Sequence, residues 1–282
     1  MLTLGKIYNK IYSEFKRLNF SSPQVETEVI ITKSLNIPKV FLYTMQDLII
    51  SEDKEEAILK NFYLRLNSVP IAYIFNEKEF FGYTFYVNEK VLIPRPETEF
   101  LVEESVRLIL SNNIKTCADI GTGSGNIAIS IAKSVNKDIT IFAVDYYESA
   151  IEVAVKNAKL HRVEEKIKFL VSDKLEYFMK NSIKLDLLIS NPPYVSYEEY
   201  KNLQPEIYYE PKEALVVPTG MEFYNYFAQY GKKVLNRNAY IIVELNPFLY
   251  EKIYNLFSTS GYKVEHIVYD YYHLPRCMVA KN

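Results

Sequence analysis

The chain has 282 residues, 49% of them hydrophobic and 24% charged, which excludes disorder and suggests about two domains at roughly 150 residues each. A net charge of −2 argues against binding to bulk nucleic acid, and no apolar run approaches the roughly 18 residues of a membrane helix. Two cysteines, Cys117 and Cys277, make neither a disulfide framework nor a zinc cluster, and the histidines His161, His266 and His273 lack metal-ligand spacing, so no metal is expected. The first residues, Met1 to Lys6, show none of the segments of a signal peptide, which leads to the expectation of a cytoplasmic protein.

In chain order, Ile7, Ile11, Phe15 and Leu18 recur at helical spacing. Ser22-Pro23 reads as a cap followed by proline in a first turn, opening a helix with the stripe Val25, Val29, Ile30 and Ile31. Ser51 opens another helix, acidic in its first turn, through Ala57, Ile58, Phe62 and Leu66. Residues 1–70 are therefore expected to form a small all-helical domain. Over 71–92 the period changes: Tyr73-Ile74-Phe75 and Tyr83 to Val87, aromatic and β-branched around Gly82, predict a connecting β-hairpin. Residues 93–282 alternate strands and helices, with strands expected at Thr116–Ile120, Thr140–Val144, Ile167–Val171, Leu185–Ile189 and Tyr240–Glu244. Two more, within Tyr262–Tyr271 and Cys277–Ala280, follow with no helix between them. The pattern is that of an α/β domain: a mostly parallel sheet covered by helices on both faces and closed by an antiparallel pair.

Glycine is scarce, eight in the whole chain, yet Gly121, Gly123 and Gly125 fall within five residues between the first strand of this domain and a helix. Asp119-Ile-Gly121-Thr122-Gly123-Ser124-Gly125 lets the chain turn tightly and lets a ligand approach bare backbone at a helix N-terminus. The dinucleotide fingerprint wants glycine at position 126, where this chain has asparagine, so a pyrophosphate cradle is a poor match. Asp145 ends the next strand, where a carboxylate accepts from ribose hydroxyls. A nucleoside without a diphosphate satisfies both features, and S-adenosylmethionine is the candidate; an NAD site or a plain structural turn is the alternative. Asp173-Lys174 follows the third strand at the same sheet edge, positioned to bond an adenine amine or else to form a surface turn.

The fourth strand runs into Asn191-Pro192-Pro193-Tyr194. Adjacent prolines remove two backbone donors and leave acceptors only. The Asn191 carboxamide oxygen and the Pro192 carbonyl can together hold both protons of a planar NH₂ group, while Tyr194 offers a flat face to the reacting group. A methyl group delivered in line to such a nitrogen needs orientation and exclusion of water more than a strong base.

Asp119-x-Gly-x-Gly-x-Gly, Asp145 and Asn191-Pro-Pro-Tyr together resemble the class I (Rossmann-like) amino methyltransferases. Phe80-Phe81-Gly82 and Val91-Leu92-Ile93-Pro94-Arg95-Pro96-Glu97-Thr98-Glu99 narrow the resemblance to the HemK/PrmC family of protein-(glutamine-N5) methyltransferases, from about Pro70 to the C-terminus. The resemblance implies methylation of the glutamine amide in the Gly-Gly-Gln motif of peptide chain release factors, with S-adenosylmethionine as donor. It implies cofactor binding by Gly121, Thr122, Gly123, Ser124, Gly125, Asp145, Asp173, Lys174 and Asn191. Asn191, Pro192, Pro193 and Tyr194 would hold the glutamine, with Asn191, Pro192 and Tyr194 at the chemistry and the helical domain recognising the substrate. Related ribosomal-protein glutamine methyltransferases differ after the first Pro-Arg, where this chain reads Pro96-Glu97-Thr98-Glu99. An amine methyltransferase acting on adenine or guanine of nucleic acid is the rival reading, and it would have to flip out its base. Arg95 and Glu97 are read equally as substrate contacts or as the acidic start of a helix. Glu244-Leu245-Asn246-Pro247 departs from the family, a departure expected to matter at the far edge of the sheet and not to the chemistry.

Overall fold

The computed structural model describes residues 2–282. The chain folds as two compact units, one ending at Asn76 and including Pro205–Tyr209, the other comprising Glu77–Gln204 and Glu210–Asn282.

The first unit is helical, with helices at Leu4–Arg17, Pro23–Leu35, Phe41–Thr44, Glu52–Leu66 and Ile71–Ile74. Leu4, Ile7, Ile11 and Phe15 of the first helix meet Ile30, Ile31, Ile58 and Phe62 in a closed core. Leu18 and Val25 of the expected stripes are exposed instead. Leu18 lies just past the end of its helix and is 43% exposed, and Val25 is 56% exposed because the second helix turns Thr27 and Glu28 inward instead. Arg65 is buried, bonding Glu26 through both Nε and a terminal nitrogen and reaching Glu206 at 2.7 Å, which holds the Pro205–Tyr209 segment in this unit.

The expected strand at Tyr73-Ile74-Phe75 is instead the last short helix. Pro70 supplies a preset φ ahead of its first turn, and the Ile74 and Phe75 amides donate to the Pro70 and Ile71 carbonyls. The hairpin comes later, as β1 (Glu77–Phe80) and β2 (Tyr83–Tyr86). Its two-residue turn, Phe81-Gly82, has φ of +51° and +73°, the left-handed pair that matches strand twist. Phe80 and Phe85 are buried in the core of the second unit, so the hairpin is part of that unit.

The second unit is built on β3 (Thr116–Ile120), β4 (Thr140–Asp145), β5 (Ile167–Val171), β6 (Leu185–Ser190), β7 (Leu235–Glu244), β8 (Lys263–Tyr269) and β9 (Pro275–Lys281), in the order β5-β4-β3-β6-β7-β9-β8. The first five are parallel; β9 runs antiparallel to both β7 and β8. Alternate side chains go to opposite faces. Cys117, Ile141, Ala143, Leu187 and Ile189 pack against the helices Glu99–Ser111 and Asn126–Ser134, whereas Ala118, Phe142, Val144 and Leu188 pack against Glu222–Val234 and Tyr250–Thr259. The strand order reverses between β3 and β6, which is where open α/β sheets bind ligands, outside the carboxyl ends of their strands.

Candidate functional site

The glycine loop leaves the end of β3 and the Asn-Pro-Pro-Tyr tetrapeptide leaves the end of β6. These strands are direct neighbours, with Asp119 in register with Ile189. The loop folds back on β4, the Gly121 and Thr122 amides donating to the Val144 carbonyl at 2.8 and 2.9 Å. Gly121, Gly123 and Gly125 all hold positive φ. They differ in what surrounds them. A Cβ on Gly121 or Gly123 would meet nothing within 4 Å, whereas one on Gly125 would sit 2.9 Å from Ile129 Cδ1 and 3.1 Å from Ala154 Cβ. The first two leave room for a ligand; the third lets two helices approach.

Below the loop, Asp119 is fully buried. Its Oδ2 accepts from Thr122 Oγ1 at 2.6 Å and from the Ala128 amide at 3.3 Å, while Oδ1 has no partner. Burial pushes its carboxyl up to about 7 against the opposing bonds. Asp145, at the end of β4, accepts from the Gly123 amide at 2.9 Å and the Tyr147 amide at 3.1 Å; burial raises its carboxyl and these donors oppose the rise.

A cavity of about 310 Å³ opens here, and Gly121, Gly123, Asp145, Asp173, Lys174, Asn191 and Pro193 line it. Five of the residues expected at the nucleoside and two of the four expected at the amide thus face one space. Lys174 pairs with Asp173 at 2.6 Å, its Nζ 5.2 Å from the ring centres of both Phe223 and Tyr226. Thr122, Ser124 and Gly125 support the wall without lining it: Thr122 holds Asp119, and Ser124 is buried with its hydroxyl on Asn126 Oδ1. Pro192 is buried and Tyr194 is turned into the core, so neither lines the cavity. An open glycine cradle, a strand-end carboxylate and an unpartnered buried oxygen beneath the loop fit a nucleoside carrying an amino-acid tail.

The tetrapeptide is wired into two other segments. Asn191 Nδ2 donates to Thr98 Oγ1 at 3.0 Å, Thr98 Oγ1 donates to Glu244 Oε2 at 2.6 Å, and the Tyr194 hydroxyl donates to Glu244 Oε1 at 3.1 Å. Burial raises the Tyr194 phenol well above its ordinary range. Glu244 ends β7, an interior strand, so the Glu244-Leu245-Asn246-Pro247 departure lies beside the tetrapeptide, with Asn246 Nδ2 donating to the Tyr194 carbonyl, and not at the far edge, which is β8. Gly220 lies under the same segment, where a Cβ would come within 2.7 Å of the Tyr194 carbonyl oxygen.

Arg95 and Glu97 do not line the cavity. Arg95 pairs with buried Glu210 at 2.6 Å, and Glu210 also accepts from the Ile93 amide. Glu97 sits in the turn Pro96–Thr98 that leads into the helix Glu99–Ser111. Sequence reasoning missed Thr98 as the partner of Asn191 and Glu244 as the partner of Thr98 and Tyr194, and Phe223, Tyr146 and Tyr147 as cavity walls. It also missed Asn157, which bonds the backbone of Tyr86 in both directions and the Ser124 carbonyl, tying the hairpin to the glycine loop. Of these, only Tyr146 and Tyr147 carried a signal, their position directly after Asp145.

Residues 98–221 match the methyltransferase small domain family, and residues 6–75 match the PrmC N-terminal domain family. The release factor glutamine methyltransferase of Dictyoglomus turgidum is 37% identical over 245 residues, covering 86% of each chain. That of Chlorobaculum tepidum is 33% identical over 270 residues, covering 93% of this chain and 91% of the relative. Among solved structures, the 16S rRNA N2 methyltransferase of T. thermophilus, in complex with AdoMet and guanosine, superposes with a TM-score of 0.51 at 17% identity. It covers 73% of this chain and 49% of its own, a likeness of fold.

Proposed function

Because this chain belongs to the family of release factor glutamine methyltransferases, we propose that the cavity at the ends of β3 and β6 is where the methyl group is transferred. The protein is an S-adenosylmethionine-dependent enzyme that methylates a release factor glutamine. In this reading Gly121, Gly123, Asp145, Asp173 and Lys174 hold the cofactor, supported by Thr122, Ser124 and Gly125. Asn191 and Pro193, backed by the buried Pro192 and by Tyr194, hold the glutamine of a Gly-Gly-Gln motif at N5. The helical unit serves as the recognition domain for the release factor. No helix among the described residues is long and apolar enough to cross a membrane, and a substrate used in translation supports a cytoplasmic address.

Bound in the cavity, S-adenosylmethionine supplies an electrophilic methyl group on a sulfonium. The chain's own residues make the amide a nucleophile. An amide nitrogen is weak because its lone pair is delocalised into the carbonyl. Acceptors that grip its N–H bonds favour a pyramidal nitrogen with the lone pair turned toward the donor, and Asn191 Oδ1 is such an acceptor. The prolines contribute no backbone N–H to compete. Apolar walls from Ile120, Val144 and Phe223 limit water, which favours dispersal of charge during transfer. Holding both reactants in one geometry supplies much of the acceleration. No strong base is needed before attack, since the surplus proton becomes acidic once nitrogen carries the methyl.

One observation carries this reading: Asn191 and Pro193 line the same cavity as Gly121, Gly123 and Asp145. The test is Asn191→Ala, which should keep cofactor affinity within about threefold while transfer to release factor falls on the order of a hundredfold or more. Near wild-type turnover would remove Asn191 from the chemistry.

A further inference from the structure

The role given to Asn191 requires its carboxamide to present oxygen, not nitrogen, to the substrate, and a primary amide can sit either way round. The hydrogen-bond chain behind it decides the matter. Thr98 and Glu244 are 1% and 2% exposed, so their groups are satisfied by each other and not by solvent. A carboxylate only accepts. With Glu244 ionised, the single hydroxyl proton of Thr98 is spent on Glu244 Oε2 at 2.6 Å, and the Thr98 oxygen can only accept from Asn191. That forces Nδ2 toward Thr98 and leaves Oδ1 as the atom available to substrate. The three residues come from separate segments: the turn before the helix Glu99–Ser111, the end of β6 and the end of β7.

We propose that Glu244 and Thr98 are positioning residues, the acceptor-only carboxylate acting through the threonine hydroxyl to hold the Asn191 carboxamide oxygen-outward for the glutamine N–H groups. The proposal rests on the reading of Asn191 as the glutamine's acceptor, and it adds a source of discrimination. An oxygen-outward amide favours a substrate NH₂ over a carboxylate, so the same chain selects glutamine over glutamate.

The arrangement also reverses in principle. A proton on Glu244 Oε2 would donate to Thr98, the Thr98 proton would turn to Asn191, and the amide would then present its NH₂ to the cavity. The groups facing Glu244 are Tyr194 after β6, Tyr224 from the helix Glu222–Val234, Glu97 before the helix Glu99–Ser111, and Arg276 and Cys277 from β9. Burial dominates, with Glu97 adding to it and Thr98, Tyr194 and Arg276 opposing, and the carboxyl is pushed up to about 7.

The experiment uses the full-length protein with Glu244→Gln, Thr98→Val and Thr98→Ser. In the first, the new amide can donate to Thr98 and so turn Asn191 round; the second breaks the chain; the third keeps the hydroxyl. Turnover on release factor should fall on the order of a hundredfold in Glu244→Gln and Thr98→Val, with KM for release factor within about threefold, and Thr98→Ser should restore it. Wild-type turnover should fall as pH drops through about 7, and Glu244→Gln should lose that step. A second readout does not use turnover: binding of release factor against a form with glutamate in place of the acceptor glutamine. Wild type should prefer glutamine, and Glu244→Gln should lose or invert the preference. Turnover within threefold of wild type in Thr98→Val, or an unchanged glutamine preference in a folded Glu244→Gln, would overturn the proposal. If Asn191→Ala stays active, the underlying reading of Asn191 fails instead.

Discussion

Ser190 Oγ donates to the carbonyl of Ile120 at 2.7 Å, joining the last residue of β6 to the last residue of β3. The glycine loop begins one residue past Ile120 and the tetrapeptide one residue past Ser190. Two motifs seventy positions apart in sequence therefore start side by side. Under the proposed assignment, this adjacency is what lets one cavity serve a nucleoside and an amide together.

At the nucleoside end, Asp145 already accepts from Gly123 and Tyr147 through its two oxygens, so it is held in place as an acceptor. Asp145→Asn keeps the shape and substitutes a donor for one acceptor. Calorimetric titration should show cofactor affinity reduced roughly tenfold to a hundredfold, the cost of about 1.5–3 kcal/mol for a hydrogen bond to a charged group. Release factor affinity should not change.

The glycines should separate into two kinds. Gly125→Ala places a methyl against Ile129 and Ala154 at a φ of +79°, so both crowding and backbone strain act, and denaturant unfolding should show a loss of more than about 1–2 kcal/mol. Gly121→Ala, at a φ of +77° but with open space around its Cβ, should lose only about 1–2 kcal/mol in unfolding while cofactor binding weakens more strongly.

The strand ends were legible in the sequence because parallel α/β sheets put ligands at their carboxyl edge, so loops following apolar runs could be read as one surface. The glycine loop, Asp145 and the tetrapeptide are placed at that edge in this way. What could not be read was contact between residues with no shared element. Thr98 reads as part of the segment leading into a helix, and Glu244 as the far edge of the sheet, because the chain from Asn191 through Thr98 to Glu244 depends on strand order. Periodicity also misplaced Tyr73-Ile74-Phe75, whose β-branched and aromatic side chains are overridden by Pro70 at the start of a short helix.

Gly220 adds a test at the amide end. An alanine there, at a φ of +84°, would press on the Tyr194 carbonyl oxygen at 2.7 Å and on Leu249 Cδ1 at 2.9 Å. Turnover should fall while cofactor affinity is kept, as seen by comparing single-turnover rates with equilibrium titration.

Glu244 gives a pH prediction with a defined sign. Its folded carboxyl titrates at about 7 against an ordinary 4.5, so between these values the native state holds a proton that the unfolded chain has released. Its contribution to stability therefore falls as pH rises through that window and stays low above it. Glu244→Gln should gain stability relative to wild type between pH 5 and pH 8 in urea unfolding. Parallel curves would show that the carboxyl titrates at its ordinary value.

The most direct test of the account is to incubate the enzyme with isotopically labelled S-adenosylmethionine and, separately, release factor, ribosomal protein and DNA, then locate the label by tandem mass spectrometry. The label should lie on the side-chain nitrogen of the glutamine in the release factor's Gly-Gly-Gln segment and be absent when Asn191→Ala replaces wild type. Label found only on DNA, or on release factor at a different side chain, would contradict the account.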